Sequence, residues 1–108
     1  MAVHLLALTV DLHVPSAHSL KDKRAVVKTI LEGARHRHQV AAAETDNQDK
    51  WQRAGLTFAA VSSSRTHTTE IVEKVERFVW SFPEIEVLSM ERTWLETDGL
   101  DTDLRGTP

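Results

Sequence analysis

Between Val3 and Val14 the chain alternates. Leu6, Leu8, Val10, Leu12 and Val14 fall on one side; Val3, Leu5, Ala7, Thr9, Asp11 and His13 fall on the other. A period of two places successive side chains on opposite faces of an extended backbone. The segment is therefore a strand with one strongly apolar face, and that face must be covered. Pro15 and Ser16 end it. The period then changes. Ser19-Leu20-Lys21-Asp22 reads as a helix start, a capping hydroxyl followed three residues later by an acid. Leu20, Val27, Ile30, Leu31 and Ala34 recur at helical spacing, which predicts a helix from Leu20 to about His36 with Gly33 inside it.

The remaining elements follow from the same two periods. Gln39 to Glu44 reads as a short strand, and Thr45 to Lys50 as a polar turn. Trp51 to Ser63 is a third strand with Ala54, Leu56, Phe58 and Ala60 on one face. A second helix is predicted over Thr66 to Phe82, carrying Ile71, Val72, Val75, Phe78, Val79 and Phe82 inward; Pro83 stops it. Ile85 to Glu96 is a fourth strand. The order β-α-β-β-α-β, with one apolar stripe per helix and one apolar face per strand, predicts an α+β, ferredoxin-like sandwich. Its four-stranded antiparallel sheet carries both helices on one face. A chain of 108 residues fits one domain. Residues 1–96 form the packed part, and 97–108 a polar, flexible tail with little to bury.

Composition removes several classes of chemistry. There is no cysteine, which excludes a disulfide framework, a thiolate zinc site and a cysteine nucleophile. The longest apolar stretch, Leu5 to Val10, is too short to span a bilayer. The N-terminus has no basic region or small-residue cleavage site, so a cytoplasmic location is expected. The net charge of −3 hides an asymmetry: residues 18–38 carry six bases against two acids, and residues 84–108 carry seven acids against two bases. A basic segment of this kind marks either a polyanion-binding face or a solvated helix with its own salt partners.

The predicted topology brings the first helix's start to the same end of the sheet as the hairpin between the second and third strands. Two polar clusters distant in sequence then converge. The candidate interaction residues are His18, Ser19, Lys21, Lys23, Arg24, Lys50, Trp51 and Arg53. The cations suit phosphates, the helix N-terminus offers N–H groups to an anion, and Trp51 supplies a stacking surface. Asp22, Glu44, Asp46, Asp49 and Gln52 form a candidate structural network in which the acids pair with the bases and lock hairpin to helix.

Two stretches at this end, Ala17-His18-Ser19-Leu20-Lys21-Asp22-Lys23-Arg24 and Glu44-Thr45-Asp46-Asn47-Gln48-Asp49-Lys50-Trp51-Gln52-Arg53-Ala54, resemble the two signature stretches of the YlxP-like family, a bacterial domain of unknown function. The resemblance runs to about Glu96, and Asn47 departs from it, standing where members often have His. It implies a small ferredoxin-like cytosolic protein. The family's genes often stand beside those for translation initiation factor two and ribosome-binding factor A, which implies a ribosomal RNA or ribosomal protein partner but assigns no chemistry.

The reading is therefore a non-enzymatic module that binds a ribosomal or RNA partner through the basic helix start and the hairpin. Its alternative is a self-associating module with no nucleic-acid partner. The sheet face opposite the helices, with Val3, Leu5, Ala7, Thr9, Gly55, Thr57, Ala59 and Val61, is moderately apolar and suits a homo-oligomer. A small-molecule enzyme is the weaker alternative. His18 with Glu44, Asp46 and Asp49 offers acid–base groups, but there is no nucleophile elbow or glycine-rich phosphate loop, and no substrate is indicated. The histidines have no metal-ligand spacing on a helix face. No cofactor, metal or catalytic residue is assigned.

Overall fold

Two central strands carry the core. β1 (His4–His13) pairs antiparallel with β3 (Arg53–Ser62) on one side and with β4 (Glu86–Glu96) on the other. β2 (Ala41–Asp46) adds to the outer edge of β3, giving the sheet order β2-β3-β1-β4. Helices α1 (Leu20–His38) and α2 (Arg65–Trp80) pack on one face. This is the expected ferredoxin-like α+β fold, in a computed structural model that describes residues 2–96. The segment 97–108 lies outside the described residues.

The alternation read from sequence sets the burial. Leu6, Leu8, Val10 and Leu12 of β1 and Ala54, Leu56, Phe58 and Ala60 of β3 are buried beneath the helices. They meet Val27, Ile30 and Ala34 of α1 and Val72, Val75 and Val79 of α2. The helices touch where Gly33 faces Phe78. A Cβ on Gly33 would stand 2.5 Å from the ring's Cζ, so the missing side chain makes room for the aromatic.

The element bounds differ from expectation at two informative places. Gln39 opens no strand: it is the C-cap of α1, with φ 54° and its N–H on the carbonyl of Arg35. A left-handed cap built on glutamine rather than glycine leaves little trace in sequence. Trp51 also lies outside β3, in the bend before Arg53. A register shift in the β2–β3 pairing lies between Glu44 and Asp46, just before the turn.

Candidate functional site

The end of the sheet where α1 begins is built around one buried cation. Lys23 is fully buried, the largest fully buried side chain among the described residues. Its Nζ pairs with Glu44 Oε2 at 2.9 Å, and Glu44's side chain is itself 16% exposed. The ammonium also donates to the carbonyls of Asn47 at 2.8 Å, Gln48 at 3.2 Å and Arg53 at 3.2 Å. An ammonium has three protons, so four acceptors saturate it. A buried charge is tolerable only when paired and fully hydrogen-bonded, and both conditions hold.

Local structure shapes the loop that receives it. Asn47 adopts φ 58°, and its N–H is held by Asp46 Oδ1 at 2.9 Å, an arrangement asparagine tolerates better than most residues. Lys50 N–H returns to the Asn47 carbonyl at 3.1 Å, and Gln48 Nε2 donates to the Glu44 carbonyl. The loop thus turns its carbonyls inward onto Lys23.

A second clamp runs the other way. Gln52 Nε2 donates to the carbonyls of Pro15 and Ala17, each at 3.1 Å, and its own carbonyl accepts from Val14 N–H at 2.9 Å. The β1–α1 loop is thereby fixed to the hairpin. Ser19 caps α1 through Asp22 N–H at 3.1 Å, and the Asp22 carboxylate accepts from His18 N–H at 3.0 Å. This is a reciprocal capping arrangement displaced one residue outward. It corrects one expectation: the helix N-terminus is not open to an external phosphate, because Asp22 already places a carboxylate there.

The structure sorts the remaining candidates. Lys23, expected among the candidate interaction residues, is withdrawn into the clamp, where it meets Glu44 of the structural network. Arg53 is half-buried on the open face of the sheet, with Nη2 2.6 Å from Asp11 Oδ2. Its expected partners Asp46 and Asp49 are exposed and form no ion pair among the described residues. Lys21, Arg24 and Lys50 are exposed, and their side chains make no hydrogen bond or ion pair among the described residues. His18 is exposed, and Trp51 is 57% exposed. The outward set is thus His18, Lys21, Arg24, Lys50 and Trp51. The inward set is Ser19, Asp22, Lys23, Glu44 and Gln52.

The burial of Lys23 has a signal in the sequence. Lys23 lies four residues before Val27 and seven before Ile30, on the buried stripe of α1. Glu44 lies two residues after Ala42 on the inward parity of β2. A base and an acid on two facing apolar stripes imply a buried pair.

Among the described residues no group of three or more His, Asp or Glu is placed to hold a metal, and no helix is long and apolar enough to cross a membrane. The open sheet face carries Leu5 opposite Val61 and Leu95, Ala7 opposite Ala59, and Thr9 opposite Thr57, as the alternation implies. Gly55 pairs with Asp11 but is buried against Asp46.

Comparison with known proteins bears on the whole of this framework. Residues 5–92 match the model of a family described as "Protein of unknown function (DUF503)". The chain is also 45% identical, over 78 residues, to the "Uncharacterized protein YlxP" of Bacillus subtilis (strain 168), covering 72% of this chain and 85% of that one. Both signature stretches, and with them the Lys23 clamp, lie inside the family match. The chain belongs to this family of proteins of unknown function.

Proposed function

We propose that this protein is a non-enzymatic binding module that docks on an RNA surface of the ribosome through the end of the sheet where α1 begins. The observation that carries the reading is the contrast between the two sets of signature residues. A buried, fully bonded ammonium fixes the hairpin and the start of α1, while three cations without partners among the described residues and a largely exposed tryptophan point outward. Cations neutralise phosphates, a tryptophan face stacks on an unpaired base, and prior rigidity lowers the entropy lost on binding.

The test uses Lys21→Gln/Arg24→Gln/Lys50→Gln, which leaves Lys23 in place. Quenching of tryptophan fluorescence by single-stranded ribosomal RNA fragments is measured beside the parent protein, with Trp51→Phe to assign the signal. The reading expects binding that the triple variant loses at unchanged Tm. Equal binding by both proteins overturns it; binding only to ribosomal proteins replaces the RNA partner.

The open sheet face favours a second reading, self-association. Val61 is 60% exposed and Leu95 47% exposed, at one end of a face that also carries Leu5, Ala7, Ala41, Ala43 and Ala59 and turns polar at Thr9, Thr57 and Glu91. Concentration-dependent sedimentation distinguishes a dimer from a monomer, and the dimer leaves the basic end free.

A further inference from the structure

A cleft of about 260 Å³ opens at the far end of α1 from the clamp, where the C-terminus of α1 meets the first turns of α2. We propose that it binds a small phosphate monoester. Arg37 enters from α1, and Lys74 and His67 from α2; His38 stands between the helices, Ile71 supplies apolar wall, and Val61 at the end of β3 borders the cleft. Val61 is accessible there because the β2–β3 pairing begins only at Ala41 and Ala59, leaving the end of β3 uncovered on that side. The volume lies below the range of about 300–1,000 Å³ common for drug-sized ligands, which suits a phosphate with a short organic stub.

Charge is the stronger argument. His38 faces Arg37 from its own helix and Lys74 and Arg77 from α2. None of these three cations has a carboxylate at ion-pair distance among the described residues. Glu70 stands 4.0 Å from His67. Arg37 lies over the Phe78 ring at 5.5 Å, and His38 packs edge-on against the same ring at 5.5 Å. Both side chains are thus steadied by one aromatic. Burial, then Lys74, Arg37 and Arg77, hold the His38 imidazole below its usual pKa. A cleft that gathers like charges and suppresses one of them is relieved by a dianion, and a planar guanidinium beside a lysine is a common phosphate grip. The site is separate from the proposed RNA surface and does not depend on it.

The test follows the His38 Hε1 resonance while inorganic phosphate, and separately glycerol 3-phosphate, is added at constant ionic strength. A saturable shift with Kd of about 1 mM is expected, corresponding to about −4 kcal/mol. The His38 pKa should rise with ligand, because protonation then joins a bound anion. Arg37→Gln/Lys74→Gln, whose two sites are exposed, should weaken the shift more than about tenfold with the amide spectrum otherwise retained. The Lys21→Gln/Arg24→Gln/Lys50→Gln variant should bind as the parent does. The proposal is overturned by no saturable shift up to about 50 mM, by an equal shift from chloride, by an unchanged response in the Arg37/Lys74 variant, or by a cleft that answers only to an oligonucleotide.

Discussion

Replacing Lys23 by methionine is the sharpest perturbation of the clamp. The methylene stem is kept and the ammonium removed, so apolar packing changes little. What remains is the Glu44 carboxylate, mostly enclosed, and the inward carbonyls of Asn47, Gln48 and Arg53. Removing one partner of a buried pair costs about 3–5 kcal/mol, because the other charge stays buried without compensation. A domain of this size is stable by about 5–15 kcal/mol in all, so the loss is a large share of it. With a urea m-value of about 2 kcal/mol/M, the midpoint should fall by about 2 M. The assay is equilibrium urea unfolding followed by far-UV circular dichroism and tryptophan fluorescence together. Lys23→Met/Glu44→Leu provides the control. It removes the orphaned carboxylate as well and should recover part of the loss, the remainder belonging to the three carbonyls. A single variant that loses less than about 1 kcal/mol, with coincident transitions, would mean that the ammonium contributes no more than a surface charge does, and the clamp would not be what holds this end together.

Two smaller perturbations test neighbouring features. Ser19→Ala should lower stability by about 1 kcal/mol through the lost cap on Asp22 N–H, measured as a shift in urea midpoint at constant m. His38 gives a pH signature. Its folded pKa lies below the ordinary histidine value, chiefly from burial and then from Lys74, Arg37 and Arg77. The unfolded chain therefore takes up the proton first as pH falls. The contribution of His38 is complete above its unfolded pKa and is lost as pH falls through the interval down to the folded pKa. His38→Gln should gain stability relative to the parent between about pH 7 and pH 5; a difference that stays constant or runs the other way contradicts the assignment.

The fold was legible because the sequence is locally consistent. Alternation in β1 and β3 and the 3.6-residue stripes of both helices all demand the same two-layer burial. The Ser19 cap was equally plain, since its chemistry is local. The clamp was half legible. Topology brings the two signature stretches together and pairs a base of the helix start with an acid of the hairpin, as Lys23 with Glu44, but charge alone favours the surface for Lys23. Its position on the Val27–Ile30 stripe argued for the interior. Arg53 meets a partner that neither signature stretch contains. Its partner is Asp11 on the neighbouring strand, a cross-strand contact on the open face. The backbone carbonyls that saturate Lys23 had no sequence signal at all. They turn inward because Asn47 takes a left-handed conformation and the β2–β3 register shifts at Glu44, both properties of the folded hairpin.

The proposed reading divides the signature residues into a buried clamp and an outward RNA-binding set. Co-sedimentation with ribosomal subunits, comparing the parent protein with Lys21→Gln/Arg24→Gln/Lys50→Gln at 50 and 200 mM salt, tests it most directly. Three phosphate contacts to single-stranded RNA give a salt slope of about −2, so the parent's affinity should fall about 20-fold between the two conditions. The triple variant should bind weakly at both, with unchanged Tm. Parent binding that is indifferent to salt, or a triple variant that sediments like the parent, would mean that these three cations do not hold RNA.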